Sequence, residues 1–277
     1  AKRANEISEC VKHYKKALKL DPNDVNIWYH LGITLQEQHE FKEAADVLST
    51  AISLKPDHVD AYDALGISFR QTGQLDKSVS AHLTAIKLDP SKSTSHFNLG
   101  LSLHKSEKID KAIEAYLKTI SLDPLIGEPH YFLGLAFQKK NRIHDAIQEF
   151  TKAIELEPNY KKTYTALADS FAALELHYEA IKMYKKAIKL NPKDAKSYND
   201  MGLVYNNINE PQKAITAFKK AIQIEPRSAV AHNNLGRTYI GQQRFKEGFE
   251  LCEWRWKTYK KSENDGRQTE IGDSFDG

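Results

Sequence analysis

The chain has 277 residues, 40% of them hydrophobic, and its 40 basic residues against 37 acidic ones leave a formal charge of +3. A mean hydropathy of −0.59 without a long apolar run excludes a membrane span, and the near-balanced charge argues against nucleic acid, which needs a clustered basic face. Two cysteines, Cys10 and Cys252, cannot make a disulfide framework for so long a chain, so the expected setting is reducing and cytoplasmic.

Seven of the nine prolines, Pro22, Pro56, Pro90, Pro124, Pro158, Pro192 and Pro226, recur every 34 residues. Gly32, Gly66, Gly100, Gly134, Gly202 and Gly236 keep the same step, with Ala168 in the one gap, and a leucine or methionine precedes each. A fixed period of this length marks a solenoid of repeated helix pairs.

Residues 7–20 come first and predict a lone second helix. Counted back from Pro22, residue 1 falls inside an earlier copy, so residues 1–24 are expected to be a half repeat and the chain a piece of a longer protein. The next copy, 25–58, shows helix, turn, helix. Trp28, Leu31 and Leu35 give the first stripe, and Ala44, Val47, Leu48, Ala51 and Ile52 the second, both at helical spacing. No stretch alternates as a strand does. Full copies are predicted at 25–58, 59–92, 93–126, 127–160, 161–194, 195–228 and 229–262. The Gly32-type position is expected to let helices approach closely opposite small Ala44 and Ala51. Each proline is expected to end one helix and open the next, with Asp21, Asp89, Asp123 and Asn191 capping the new helix.

The last copy breaks the pattern. Isoleucine holds one position six times and then gives way to Trp256, while Arg255 replaces a small residue and Lys260 the proline. This copy is expected to cap the array, as terminal repeats do. Residues 263–277 carry five acidic residues and one arginine and read as an acidic tail or linker, either solvated or docked on basic surface in cis.

These residues resemble the tetratricopeptide repeat family, whose signature is Trp-x2-Leu-Gly-x2-Tyr, then Ala-x3-Phe, then Pro. The copy at 195–228 carries it as Tyr198, Met201, Gly202, Tyr205, Ala214, Phe218 and Pro226. The resemblance implies an all-α, right-handed α-solenoid of antiparallel helix pairs, a superhelix whose first helices line a concave wall. It further implies that the second, fifth, ninth, twelfth and thirteenth positions of each copy face that wall.

Read at those positions, the early copies offer an apolar and aromatic strip of Tyr29, Ile33, Ile67, Phe97, Leu101, Tyr131 and Leu135, with Asn98 beside it. Asp63 and Arg70 also fall on wall positions. The later copies offer Lys162, Lys196, Asn199, Asn206, Asn233 and Arg237. An extended or helical peptide would place apolar anchors in the first half, and its backbone amides or acidic side chains would meet the second. Each tyrosine at the fifth position is equally suited to packing against its neighbour.

Two patterns found in other members are missing. No copy has lysine at the fifth position with asparagine at the ninth, which a clamp for a C-terminal carboxylate needs. Only Asn98 and Asn234 occupy the sixth position, where peptide O-linked N-acetylglucosamine transferases carry an asparagine ladder. The segment from Phe245 to Trp256 resembles the last repeat of bacterial arrays that run on into a glycosyltransferase domain.

No catalytic motif, cofactor fingerprint or metal-ligand spacing stands out. His96, His130 and His232 share the Trp28-type position and read as packing residues, and Cys10 and Cys252 as small core residues. The lysine runs on second helices read as a solvated convex face. The expected function is a non-catalytic scaffold, without cofactor, that binds a protein or peptide segment in the groove. The alternative is the recognition arm of a larger glycosyltransferase-type enzyme. Self-association is a third reading, which would show as a concentration-dependent mass.

Overall fold

The structure is a computed structural model that describes residues 2–254, with side chains from Glu6 onward. Among the described residues it holds fifteen α-helices and no strand. They are α1 (Lys2–Leu20), α2 (Val25–Glu37), α3 (Phe41–Leu54), α4 (Val59–Gln71), α5 (Leu75–Leu88), α6 (Ser93–Lys105), α7 (Ile109–Leu122), α8 (Gly127–Lys139), α9 (Ile143–Leu156), α10 (Lys161–Ala173), α11 (His177–Leu190), α12 (Ala195–Asn207), α13 (Pro211–Ile224), α14 (Ala229–Gly241) and α15 (Phe245–Cys252). No helix among the described residues is long and apolar enough to cross a membrane.

The chain divides into two compact units, residues 1–157 and 158–277. In the first, α2–α3, α4–α5, α6–α7 and α8–α9 are antiparallel pairs, and each second helix packs on the first helix of the next pair. The first helices α2, α4, α6 and α8 also touch one another in succession, whereas the second helices do not. A stack closed on one side and splayed on the other is concave on the closed side, so the first helices form the inner wall. The second unit repeats this with α10–α11, α12–α13 and α14–α15, the inner contacts being α10 to α12 and α12 to α14.

Each pair is held by the stripes its sequence carries. In α2 and α3, Leu31, Leu35, Ala44, Val47, Leu48 and Ala51 are buried. Removing a leucine side chain from water contributes about 1.5–3 kcal/mol. Gly32 faces Leu48, and a Cβ built on Gly32 would lie 2.5 Å from Leu48 Cγ. The same holds for Gly100 against Tyr116, Gly134 against Phe150 and Gly202 against Phe218. The glycines therefore make room for one large side chain each, where the sequence suggested approach to small alanines.

The turn inside each pair turns on one residue in the left-handed region: His39, Gly73, Glu107, Asn141, Glu175, Asn209 and Gln243, with φ between 56° and 78°. The next N–H closes back on the first helix, as Glu40 to the Leu35 carbonyl at 2.9 Å and Leu176 to that of Phe171 at 2.9 Å. This is the closure of a Schellman motif.

The turn between pairs corrects the expected caps. The prolines sit in the turn itself, and each new helix starts three residues later, with the N-cap residues Asp24, His58, Asp194 and Ser228 accepting from its first N–H groups. Asp21 and Asp89 stand too early to cap and instead fold the turn, accepting from the N–H groups of Asn23 and Ser91. Asp123 and Asn191 occupy the C-terminal ends of α7 and α11. Among the described residues, helix-opening proline occurs at Pro211, the first residue of α13.

In three copies the Trp28-type position ties the new helix to that turn. Trp28 Nε1 donates to the Pro22 carbonyl at 2.8 Å and the Tyr164 hydroxyl to that of Pro158 at 3.0 Å, while His96 Nε2 lies 3.1 Å from that of Pro90. His130 lies 2.7 Å from Glu149, and His232 stacks on Trp254 with ring centres 4.0 Å apart. Cys10 is exposed, contrary to its reading as a core residue, because no first helix packs beside it as α2 packs beside the equivalent Ala44. Cys252 is half-buried against Gly236. Of the segment expected to cap the array, Phe245–Cys252 forms α15. Arg255, Trp256, Lys260 and the acidic tail lie outside the described residues.

Candidate functional site

In the first unit Tyr29, Ile33, Ile67, Phe97, Leu101, Tyr131 and Leu135 stand on the inner helices α2, α4, α6 and α8 and are all half-buried. The wall's aromatic centre includes residues outside the expected strip. Phe132 meets Phe97 edge-on at 5.6 Å, Tyr131 at 5.1 Å and Tyr116 at 6.1 Å. Tyr131 also reaches Phe150 at 6.0 Å, and Phe97 reaches Tyr116 at 6.0 Å. Phe132 stands at the sixth position, which the sequence reading considered only for an asparagine ladder; its size was the available signal. Asn98 contributes its carbonyl, which accepts from Ser102 Oγ and from Arg70 Nη1. Tyr29 packs between the rings of His30 and His58, and burial together with nearby Asp60 raises its phenol pKa.

Asp63, placed on the wall by its position, turns into the core. It is 6% exposed and lies 3.1 Å from His82 Nδ1, 2.5 Å from Ser95 Oγ and 2.9 Å from Lys92 Nζ. Burial alone would raise its carboxyl pKa, but the hydrogen bonds from His82, Ser95 and Lys92 outweigh burial and hold it below the usual range. Burial pushes the His82 imidazole down, so His82 is neutral and donates through Nδ1 to the ionised Asp63. Lys92 also reaches Asp60 at 2.6 Å, closing the cluster.

Side chains near the ends of α2 and α4 clip each to the next first helix. Gln36 Nε2 donates to the Ala64 carbonyl at 2.6 Å and Ser68 Oγ at 2.7 Å, and Arg70 Nη1 to the Asn98 carbonyl at 3.3 Å.

In the second unit several expected ligands are engaged within the wall. Lys196 bridges Asp169 at 3.1 Å and Asp200 at 2.7 Å, which offsets its charge, and Tyr184 donates to Asp169 at 2.5 Å. Asn199 is 8% exposed, donates to Asp200 and accepts from Asn234 Nδ2 at 2.9 Å. Asn206 clips to Thr238 Oγ1 at 2.8 Å. Lys162, Asn233 and Arg237 are exposed. Leu203, Asn206, Asn207, Asn234 and Arg237 line a cleft of about 390 Å³ between α12 and α14. Among the described residues no three His, Cys, Asp or Glu side chains gather as a metal site.

The chain belongs to the tetratricopeptide repeat family. Models described as TPR repeat or Tetratricopeptide repeat match residues 3–39, 29–90, 64–125, 127–160, 162–194 and 183–216. No curated protein sequence matches the chain. Among solved structures, the APC/C hetero-tetramer Cut9–Hcn1 superposes with a TM-score of 0.70 at 22% identity, over 85% of this chain and 46% of that one. The chain thus spans less than half the length of that relative. YrrB, described as a TPR protein with an unusual peptide-binding site, gives 0.57 at 21% identity over 68% of this chain and 96% of its own. MamA gives 0.56 at 28% identity over 60% of this chain and 96% of its own.

Proposed function

We propose that this chain is a non-catalytic protein-interaction scaffold that binds a peptide segment on the inner wall of its first unit. The observation that carries the reading is that seven apolar or aromatic side chains from Tyr29 to Leu135, all on the inner helices α2, α4, α6 and α8, are only half-buried. Contiguous exposed apolar surface marks interaction sites, and aromatic anchors dominate their energetics. The descriptions of YrrB as peptide-binding and of Cut9–Hcn1 as a hetero-tetramer agree with a binding role for this architecture. In the second unit, Asn233 and Arg237 are the expected ligands left free to meet a partner, alongside Lys162.

The test is selection from a displayed library of random peptides of about twelve residues, roughly 40 Å when extended. The full chain is the bait, and Phe97→Ala/Tyr131→Ala of equal helicity is the counter-bait. Peptides that bind the wild type and not the double variant support the reading. Peptides that bind both equally place recognition elsewhere.

A further inference from the structure

The inner wall of the first unit contains a cation without a counter-ion. Arg70, near the end of α4, is half-buried, and its Nη1 donates to the Asn98 carbonyl at 3.3 Å. Among the described residues no carboxylate pairs with it, and the nearby Tyr116 phenol, its pKa raised by burial, is neutral and gives no counter-charge. A guanidinium has five N–H donors, and taking it out of water without an anion is costly.

The surroundings leave that cost uncompensated. Lys105 donates to the backbone carbonyl of Arg70 at 3.0 Å, so a second cation sits at the end of the same helix. Lys139 has its own acid in Glu107, whereas Arg70 and Lys105 form no ion pair among the described residues. His104 lies 3.5 Å from the Tyr116 hydroxyl, and Phe97 packs on the Tyr116 ring at 6.0 Å. Arg70 thus keeps donors beyond Nη1 unspent, on the helix next to the one that carries Phe97 and Asn98.

We infer that Arg70 is the specificity-determining residue of the wall, and that its ligand is an aspartate or glutamate side chain in a bound peptide, next to an aromatic or large aliphatic residue that packs at Phe97. This rests on the peptide-groove reading and adds the partner's chemistry to it. The guanidinium fork suits a carboxylate because two parallel N–H bonds meet its two oxygens, and the neighbouring apolar surface strengthens the pairing by excluding water. Lys105 supplies longer-range attraction at the rim.

The experiment takes the peptides selected on the full chain and measures their affinity by fluorescence anisotropy for wild type, Arg70→Gln and Arg70→Lys, each checked for an unchanged melting curve. The expected result is enrichment of an acidic residue beside an aromatic or aliphatic one. Replacing that acid by its amide should weaken binding to wild type about 10- to 100-fold and have little effect on Arg70→Gln. Arg70→Lys should recover part of the affinity, because it restores the charge without the fork. Selected peptides without an acidic preference that bind Arg70→Gln as tightly as wild type overturn the assignment while leaving the groove reading intact. Peptides indifferent to Phe97→Ala/Tyr131→Ala overturn both.

Discussion

His82 Nδ1 and Asp63 Oδ1 are held 3.1 Å apart in the core of the α4–α5 pair, where the neighbouring pairs bury Leu48 and Tyr116. The other ring nitrogen, Nε2, has no hydrogen-bond partner and faces Gly66, where a Cβ would lie 2.6 Å from it. The pair thus sits where its neighbours place larger or apolar side chains, and its stability depends on each partner satisfying the other.

Asp63→Ala is expected to cost about 2–4 kcal/mol, because it strands a buried imidazole N–H and the Ser95 hydroxyl. His82→Leu imitates the preceding pair, and in the double variant Asp63→Ala/His82→Leu much of that cost should return. Urea denaturation of the two single variants and the double variant measures the coupling; strict additivity would refute it.

The same pair sets a pH response. Burial depresses the folded-state pKa of His82, while the imidazole of the unfolded chain takes up its proton near pH 6.5. Across that range the unfolded state binds more protons, so stability falls as pH is lowered. Asp63, whose pKa is also depressed, adds a loss of the same sign at lower pH. His58 and His104, both lowered by burial, contribute too, so the comparison must be internal. Between about pH 7.5 and about pH 5.5 the urea midpoint should fall more for wild type than for His82→Leu. Equal slopes would remove His82 from the account.

Gly134→Ala drives a methyl group to within 2.5 Å of Phe150 Cε1, and about 1–3 kcal/mol of destabilisation is expected. Gly241→Ala, at the last residue of α14 with nothing within 4 Å, should be neutral or stabilising. Thermal melts of the two variants against wild type should move in different directions or by clearly different amounts.

Glu175 has φ 59° in the turn between α10 and α11 and forms no ion pair among the described residues. Glu175→Gly relieves the left-handed strain and loses some unfolded-state restriction, for a net gain of about 0.5–1 kcal/mol. A lowered urea midpoint would show that Glu175 makes a contribution the backbone argument omits.

The helix pairs were legible because proline and glycine each mark a physical necessity once per copy. Proline cannot continue a helix, and Gly134 must admit Phe150. The left-handed turn residues were not legible, since Gly73 is the one glycine among seven and His39, Glu107 and Asn141 look like ordinary polar residues. On the wall, the ninth-position residues Ile33, Ile67, Leu101 and Leu135 came from the resemblance to the family, because periodicity marks the buried stripe and not the groove. The inward turn of Asp63 was hidden, because it depends on His82, 19 residues away, replacing a large side chain. Lys196 read as a free cation because its partners Asp169 and Asp200 come from two different copies.

The ties that join successive copies each span a fixed number of residues. Trp28 reaches back six to Pro22, and Gln36 reaches forward 28 and 32 to Ala64 and Ser68. A duplication of one whole copy hands every such donor an equivalent acceptor. A duplication of any other length leaves a donor facing the wrong atom. Lengthening or shortening the array by complete copies therefore keeps these ties in register, whereas a single-residue insertion within a copy displaces each tie that spans it.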